Sequence, residues 1–190
     1  MATKKRSKLP DPNSFRDAEF LGWLFKESER ASVVLGGAVV DEELLALLLK
    51  VMRPVKGSED RLFEPERPLG AFSARITLAH RMGLIDDEFA GGLHAVRNLR
   101  NHFAHHAEMA QFSDAPIRDR VMSMVAWARK NQNYDAGYEQ ALQLSPRISE
   151  PHRHWVVCVA AIVARLKAGR GAVKPVDCGW QVTILRPSDA

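Results

Sequence analysis

Cysteine is scarce in this sequence, which holds only Cys158 and Cys178 among 190 residues. Two cysteines supply neither a disulfide framework nor a Cys-rich metal motif, so a reducing compartment, the cytoplasm, is expected. Long hydrophobic runs are missing as well. The longest, residues 155–164, is too short to span a bilayer, and no apolar segment follows the basic residues at the start. We therefore expect neither a membrane protein nor a secretory signal.

Several recognisable motifs are also missing. The sequence has no internal repeat, no low-complexity segment, no glycine-rich phosphate loop and no Ser/His/Asp triad signature. These absences argue against a solenoid, a nucleotide-binding P-loop and a triad hydrolase. We expect no cofactor and no resident metal. A helix-turn-helix signature is not seen either, so nothing indicates direct DNA binding.

The positive charge is concentrated at one end of the chain. The formal net charge is +4, and residues 1–13 carry four basic side chains and one Asp, which gives +3 for that segment alone. A short basic segment of this kind is typical of a disordered, solubilising tail. The rest of the chain is close to neutral, so the overall charge is weak support for a nucleic-acid surface.

Apolar periodicity and capping residues predict an all-α, single-domain bundle of about six helices over residues 14–170. A disordered tail (1–13) precedes it, and a tail or short extended segment (171–190) follows. The predicted helices cover about 14–27, 29–52, 70–82, a central segment that begins after Asp86, 114–130 and 150–168.

Glycine and proline mark the interruptions. Four such residues in 53–69 predict a long irregular connection, and Gly137 with Pro146 leave 131–148 ambiguous. Gly169 and Gly171 are expected to stop the last helix, and residues 179–185 could form one strand. The Gly36-Gly37 pair predicts a close helix approach or a local bend.

The central stretch, residues 89–106, contains two overlapping copies of Arg-Asn-x-x-x-His. On a helical wheel its apolar residues form one face. The opposite face is polar. It carries Arg97, Asn98, Asn101, His102 and His105, with His94 one turn earlier.

A cluster of this kind suits metal-independent cleavage of an RNA phosphodiester. Histidine can move a proton and arginine can stabilise charge on the phosphorane. The candidate catalytic residues are Arg100, Asn101 and His105, with Arg97 and His102 as the alternative pair. An alternative interpretation is that this polar face is only solvated and has no catalytic role. A third interpretation is a metal site of His102, His105 and His106, although no Cys or carboxylate completes a zinc pattern.

Two arginines stand in segments that are otherwise apolar on at least one side, Arg75 and Arg100. A buried guanidinium is costly unless it is paired. We expect at least one of them to be buried against a carboxylate, with Asp41, Glu42 and Glu43 as the candidates.

Three segments together resemble the mannitol operon repressor (MltR) family. They are Pro68–Ile76 (PLGAFSARI), Gly83-Leu84-Ile85 and Val96–His105 (VRNLRNHFAH). The similarity extends upstream to Glu29-Arg30-Ala31 and covers roughly residues 28–130. It implies a role in transcription regulation as a repressor, with the phosphocarrier protein of the sugar phosphotransferase system as a partner.

Arg100-Asn101 followed by His105 is also similar to the Arg-x4-6-His motif of HEPN domains. Those domains are helical bundles that pair as dimers, and in their ribonuclease members the Arg and His of two subunits form a metal-independent cleft. We therefore expect a cytoplasmic, homodimeric regulator that acts through protein contacts. The alternative is a HEPN-type endoribonuclease with RNA as its substrate. On a straight helix, however, Arg100 and His105 are separated by roughly 140°.

Overall fold

The structure, a computed structural model, describes residues 18–55, 61–105 and 110–177. Within these residues there are seven α-helices and no β-strand, so the predicted all-α, single-domain bundle is confirmed. A short 3-10 turn, Arg61–Phe63, lies in the long connection. The helices are α1 (Ala18–Lys26), α2 (Glu29–Val51), α3 (Phe72–Arg81), α4 (Asp87–His105), α5 (Ala115–Ala128), α6 (Tyr134–Leu144) and α7 (Glu150–Ala172).

The two longest helices, α2 and α7, form the centre of the bundle. Gly36 of α2 faces the indole of Trp155 on α7, and a Cβ at this position would lie 3.3 Å from the ring. The Trp155 Nε1 atom donates a hydrogen bond of 3.3 Å to the backbone oxygen of Ser32. The glycine therefore allows the close helix approach that the sequence predicts.

The remaining helices pack around this pair. Helix α4 lies against α2, α3 contacts both α2 and α4, and α5 and α6 pack on α7. Helix α5 also contacts α4, so the outer surfaces of α4 and α5 are neighbours. This neighbourhood positions the candidate site.

Helix α6 lies in the segment 131–148, for which the sequence makes no clear prediction. Gly137 does not interrupt the helix, since it lies inside α6, where a Cβ would meet Val157 at an ordinary 3.8 Å. Pro146 lies beyond the last helical residue, Leu144. Burial of Tyr134 and Ala141 against α7 favours the helix although a glycine weakens it.

The predicted end of the last helix, near residue 168, is wrong. Gly169 and Gly171 do not stop this helix, which continues to Ala172, two residues into the segment expected to be a tail. Lys167 and Arg170 near this end lie 3.7 and 3.1 Å from the buried carboxylate of Glu43 on α2. We attribute the extra turn to these contacts, because tertiary contacts override the low helix propensity of glycine.

The other predicted helix ends lie within two residues of the observed ends, or they lie outside the described residues. Gly83 has the left-handed φ of 70° expected just after a helix. Residues 173–177 form neither helix nor strand, and Val176 N donates to Val51 O over 2.8 Å. The predicted tail 1–13, the start of the first helix at 14 and the possible strand 179–185 lie outside the described residues.

Candidate functional site

Helix α4 begins as its sequence predicts. The Asp86 side chain accepts a 2.7 Å hydrogen bond from the backbone N–H of Phe89, the usual contact of an N-cap aspartate. Asp87 and Glu88 then place negative charge in the first turn, where the helix dipole favours it. The buried side chains of the apolar face, which fix how α4 is rotated in the bundle, include Leu93, Val96, Leu99 and Phe103.

The polar face of α4 borders a cleft against α5. The cleft has a volume of about 500 Å³ and contains two imidazoles, two amides and one guanidinium. Its lining residues are Ala95, Asn98, Asn101, His102 and His105 of α4 and Arg120 of α5. Three of the five sequence-predicted site residues, Asn101, His102 and His105, therefore come together here.

Arg120 was missed by the sequence analysis. It lies fifteen residues after His105, in a different helix, and no motif includes it. An arginine on the exposed side of an amphipathic helix is ordinarily a solvated residue. Only the packing of α5 on α4 brings it to the cleft.

Arg100 lies on another side of α4 from this cleft. Its Nη1 atom lies 3.6 Å from the Asp41 carboxylate on α2, and its side chain is 34% exposed. The aliphatic part of the side chain covers Gly37, where a Cβ would lie 2.9 Å from Arg100 Cδ. Arg100 and His105 therefore do not converge within one chain, as the roughly 140° between them on a helical wheel predicts.

Arg75 of α3 confirms the expected buried ion pair. Its Nη1 atom lies 2.9 Å from Asp41 Oδ1, and the residue is 9% exposed. The other guanidinium nitrogens donate to the backbone oxygens of Phe63, Leu69 and Gly70. Burial raises the pKa of the Asp41 carboxyl, while the charges of Arg75 and Arg100 oppose that rise. One carboxylate on α2 thus joins α3, α4 and the long connection.

Arg97, the alternative catalytic arginine, is half-buried and does not line the cleft. Its Nη1 atom donates a 3.3 Å hydrogen bond to Asn98 Oδ1. Since Asn98 does line the cleft, Arg97 lies beside the rim. The second copy of the motif is thus divided like the first, with its histidine in the cleft and its arginine outside.

The carboxyl end of α4 is tied to the start of α2. The Arg30 guanidinium donates to the backbone oxygen of Ala104 over 3.4 Å. The Glu29 carboxylate accepts from the Phe112 backbone N–H at 2.8 Å and from the Ser149 hydroxyl at 3.3 Å. Residues 29 and 30 of α2 thus contact the end of α4 and the residue Phe112 that precedes α5.

A second polar cluster is buried between α6 and α7. The Tyr134 hydroxyl lies 2.8 Å from His154 Nδ1, and the Tyr138 ring stacks on the same imidazole with centroids 4.5 Å apart. Burial lowers the pKa of His154, although Glu150 opposes the shift. Burial also raises the pKa of the Cys158 thiol to about 12, so this cysteine is inert. Tyr134, His154 and Cys158 are all buried, so these side chains pack in the interior of the bundle.

Nowhere in residues 18–55, 61–105 and 110–177 do three or more His, Cys, Asp or Glu side chains form a group that could hold a metal ion. In the same residues, no helix combines the length and the apolar character needed to cross a membrane.

Comparisons with protein-family models, with curated proteins and with solved structures found no match for this chain.

Proposed function

We propose that this chain is a cytoplasmic regulator of the mannitol operon repressor type that acts through protein–protein contacts, as a homodimer. The observation that carries this proposal is the division of the Arg-Asn-x-x-x-His motif. Arg100 is committed to Asp41 and Gly37, whereas Asn101 and His105 are exposed. A motif arginine that stabilises the fold is not available to stabilise a reacting phosphate in the same chain. The exposed half of the motif remains free to contact a partner.

The segments that resemble the MltR family hold the architecture together, which supports the same proposal. Arg75 anchors the long connection, and Gly70 sits where a Cβ would collide with the Glu64 backbone oxygen. Arg30 binds the end of α4. A regulator that works by protein contacts needs these segments only to form a stable surface, and the contacts of Arg75, Gly70 and Arg30 stabilise that surface.

A groove beside the cleft offers contact area. It lies between α4 and α5, has a volume of about 420 Å³ and shares Ala95 with the cleft. Its walls include Gly91, Ala126 and Trp127. A Cβ added at Gly91 would have no atom within 4 Å, so the groove is open there. Open, partly apolar concave surfaces are typical of contact sites.

The phosphocarrier protein of the sugar phosphotransferase system is the partner that the family resemblance implies. Calorimetric titration of the purified chain with that protein tests the proposal. We expect a saturable, stoichiometric complex. Asn101→Ala should weaken it about tenfold, the effect expected for one of the few contact residues that carry most of the binding energy.

Gln140→Ala is the matched control, because Gln140 is an exposed amide on α6, away from the cleft. We expect its titration to equal that of the wild type. Absence of binding by the wild type would refute this partner. Equal losses for Asn101→Ala and Gln140→Ala would refute the assignment of the surface.

A metal-independent endoribonuclease of the HEPN type is the second candidate function. The observation that favours it is the shared cleft of Asn101, His102 and His105. Two imidazoles beside one phosphate could act as general base and general acid. The arginine would have to be Arg120, from the same chain or from a partner subunit, because Arg100 faces Asp41 in every copy of the chain.

Incubation of concentrated protein with single-stranded RNA in the presence of a chelator tests the second candidate. If it is correct, cleavage occurs, DNA of the same sequence stays intact, and His105→Ala slows the reaction about 10²–10⁴-fold. If wild-type protein leaves every RNA intact, the nuclease hypothesis fails and the regulator proposal stands.

A further inference from the structure

The cationic side chains of α5 and the turn after it divide into two groups. Arg118 lies 4.0 Å from Asp119, Arg129 lies 3.4 Å from Asp135, and Lys130 lies 2.6 Å from Glu88. Each of these three is within ion-pair distance of a carboxylate. Arg120 instead lines the cleft with the imidazoles and amides of α4.

The chemistry of the cleft matches a phosphate group. A guanidinium binds phosphate oxygens through paired N–H donors, and imidazole and amide N–H groups add further donors. Among the described residues that line the cleft there is no Asp or Glu, so none of these side chains repels an anion. We propose that the α4–α5 cleft binds single-stranded RNA and that Arg120, rather than the motif arginines Arg97 and Arg100, holds its phosphate.

The neighbouring groove favours a nucleic-acid strand over an isolated phosphate ion. Arg120 and Trp127 are seven residues apart on α5, which corresponds to about 10 Å along the helix axis. Trp127 is half-buried and lines the groove that continues from the cleft past Ala95. A phosphate at Arg120 and a base stacked near Trp127 would use both parts of this surface, as in single-strand binding sites generally.

Exposed amides favour RNA over DNA. Asn98 and Asn101 are exposed and line the cleft beside the phosphate position. An amide can both donate to and accept from a ribose 2′-hydroxyl, the group that distinguishes the two nucleic acids. This inference takes its ligand, RNA, from the second candidate function. It requires that the cleft bind RNA, but not that the protein cleave it.

Fluorescence anisotropy with a labelled single-stranded RNA tests this inference, with Arg120→Ala compared to Arg118→Ala in the full-length chain. Both variants remove one positive charge from the exposed side of α5, and only Arg120 lines the cleft. We expect Arg120→Ala to weaken RNA binding about tenfold or more, as for a charge-assisted hydrogen bond, and Arg118→Ala to change it less than about twofold.

The salt dependence gives an independent readout. Loss of one phosphate contact on a single strand reduces the slope of log K against log salt concentration by about 0.7. We expect that reduction for Arg120→Ala and not for Arg118→Ala. Unlabelled DNA of the same sequence should compete less well than unlabelled RNA, and inorganic phosphate should compete only weakly.

Three outcomes are distinguishable. Selective loss in Arg120→Ala supports the inference. RNA binding that is equal in the wild type and Arg120→Ala overturns the role of Arg120 and leaves RNA as a ligand of another surface. No RNA binding by the wild type overturns both this inference and the second candidate function, and the protein-contact proposal is then judged by its own titration.

Discussion

The Arg75 guanidinium and the Asp41 carboxylate are 2.9 Å apart, and they connect α3 to α2 in a setting where both side chains are largely buried. The same carboxylate is 3.6 Å from Arg100 of α4. Three helices therefore meet at one aspartate. Removing Arg75 leaves the largely buried carboxylate with only the more distant Arg100, and breaking a buried pair in this way costs more than the pair itself contributes.

We expect Arg75→Ala to lower the free energy of unfolding by about 3–5 kcal/mol. The variant also removes the donors to the backbone oxygens of Phe63, Leu69 and Gly70. Urea unfolding followed by circular dichroism measures the change. Arg81→Ala, an exposed arginine of the same helix, is the control and should stay within about 0.5 kcal/mol of wild type. Equal stabilities of the two variants would show that Arg75 is not a structural ion-pair partner.

Adjacent glycines of α4 should respond in opposite directions to the same substitution. A Cβ at Gly91 would meet nothing within 4 Å, whereas a Cβ at Gly92 would lie 2.8 Å from the Trp127 ring. Gly91→Ala should therefore stabilise the chain by about 0.5–1 kcal/mol, the usual gain for an unstrained helix position. Gly92→Ala should destabilise it, because the Trp127 ring, which packs against this glycine, must shift. Thermal melts of the two variants measure this, and a common sign would contradict the packing of α5 on α4.

Stability should fall as the pH drops from 7.5 to 5, in part because of His152. Burial lowers the pKa of His152 below its ordinary value near 6.5, although Glu29 opposes the shift. The unfolded chain therefore binds more protons than the folded one as the pH falls through 6.5. The stability contributed by the neutral ring is complete above that pH and is lost below it.

The variant His152→Phe isolates this effect. The ring of His152 stacks on Phe112 with centroids 5.2 Å apart, and phenylalanine can keep that contact. We expect the melting temperature of the variant to depend less on pH between 7.5 and 5 than that of wild type. Identical pH profiles would mean that His152 titrates alike in the folded and unfolded states.

The proposed homodimer predicts self-association in solution. A two-fold dimer that places this surface against its own copy would bring a second set of Asn101 and His105 to the cleft. Sedimentation velocity at tens of micromolar should give twice the 21.2 kDa mass of the chain. A strict monomer at that concentration would refute the proposed homodimer, and with it any cleft shared between two subunits.

The helical framework could be predicted from the sequence because local signals were strong and consistent. Asp86 caps α4, and Gly83 follows the end of α3 with a positive φ. The apolar face of α4 is buried as the helical wheel predicts. The prediction that at least one of Arg75 and Arg100 is buried against a carboxylate is confirmed by the Arg75–Asp41 pair, for a similar reason. A charged residue in an apolar segment needs a carboxylate, and α2 offered three neighbouring candidates.

The features that could not be predicted depend on contacts between helices. Gly169 and Gly171 have low helix propensity, yet α7 passes through both beside the ion pairs of Glu43. Arg120 has no sequence motif, and its place in the cleft depends on how α5 packs. Single-sequence propensity contains no information on such long-range contacts.

The stability of Arg100→Ala relative to Arg97→Ala tests the central claim most directly, namely that the motif arginine Arg100 serves the fold. Both residues lie on α4, one turn apart, and both are half-buried. Arg100 packs over Gly37 and faces Asp41, whereas Arg97 contacts Asn98. In urea unfolding we expect Arg100→Ala to lose about 1–3 kcal/mol, a range below that of a fully buried pair because the side chain is 34% exposed. Arg97→Ala should lose no more than about 0.5 kcal/mol. Full stability of Arg100→Ala would contradict the claim and return Arg100 to the list of candidate catalytic residues.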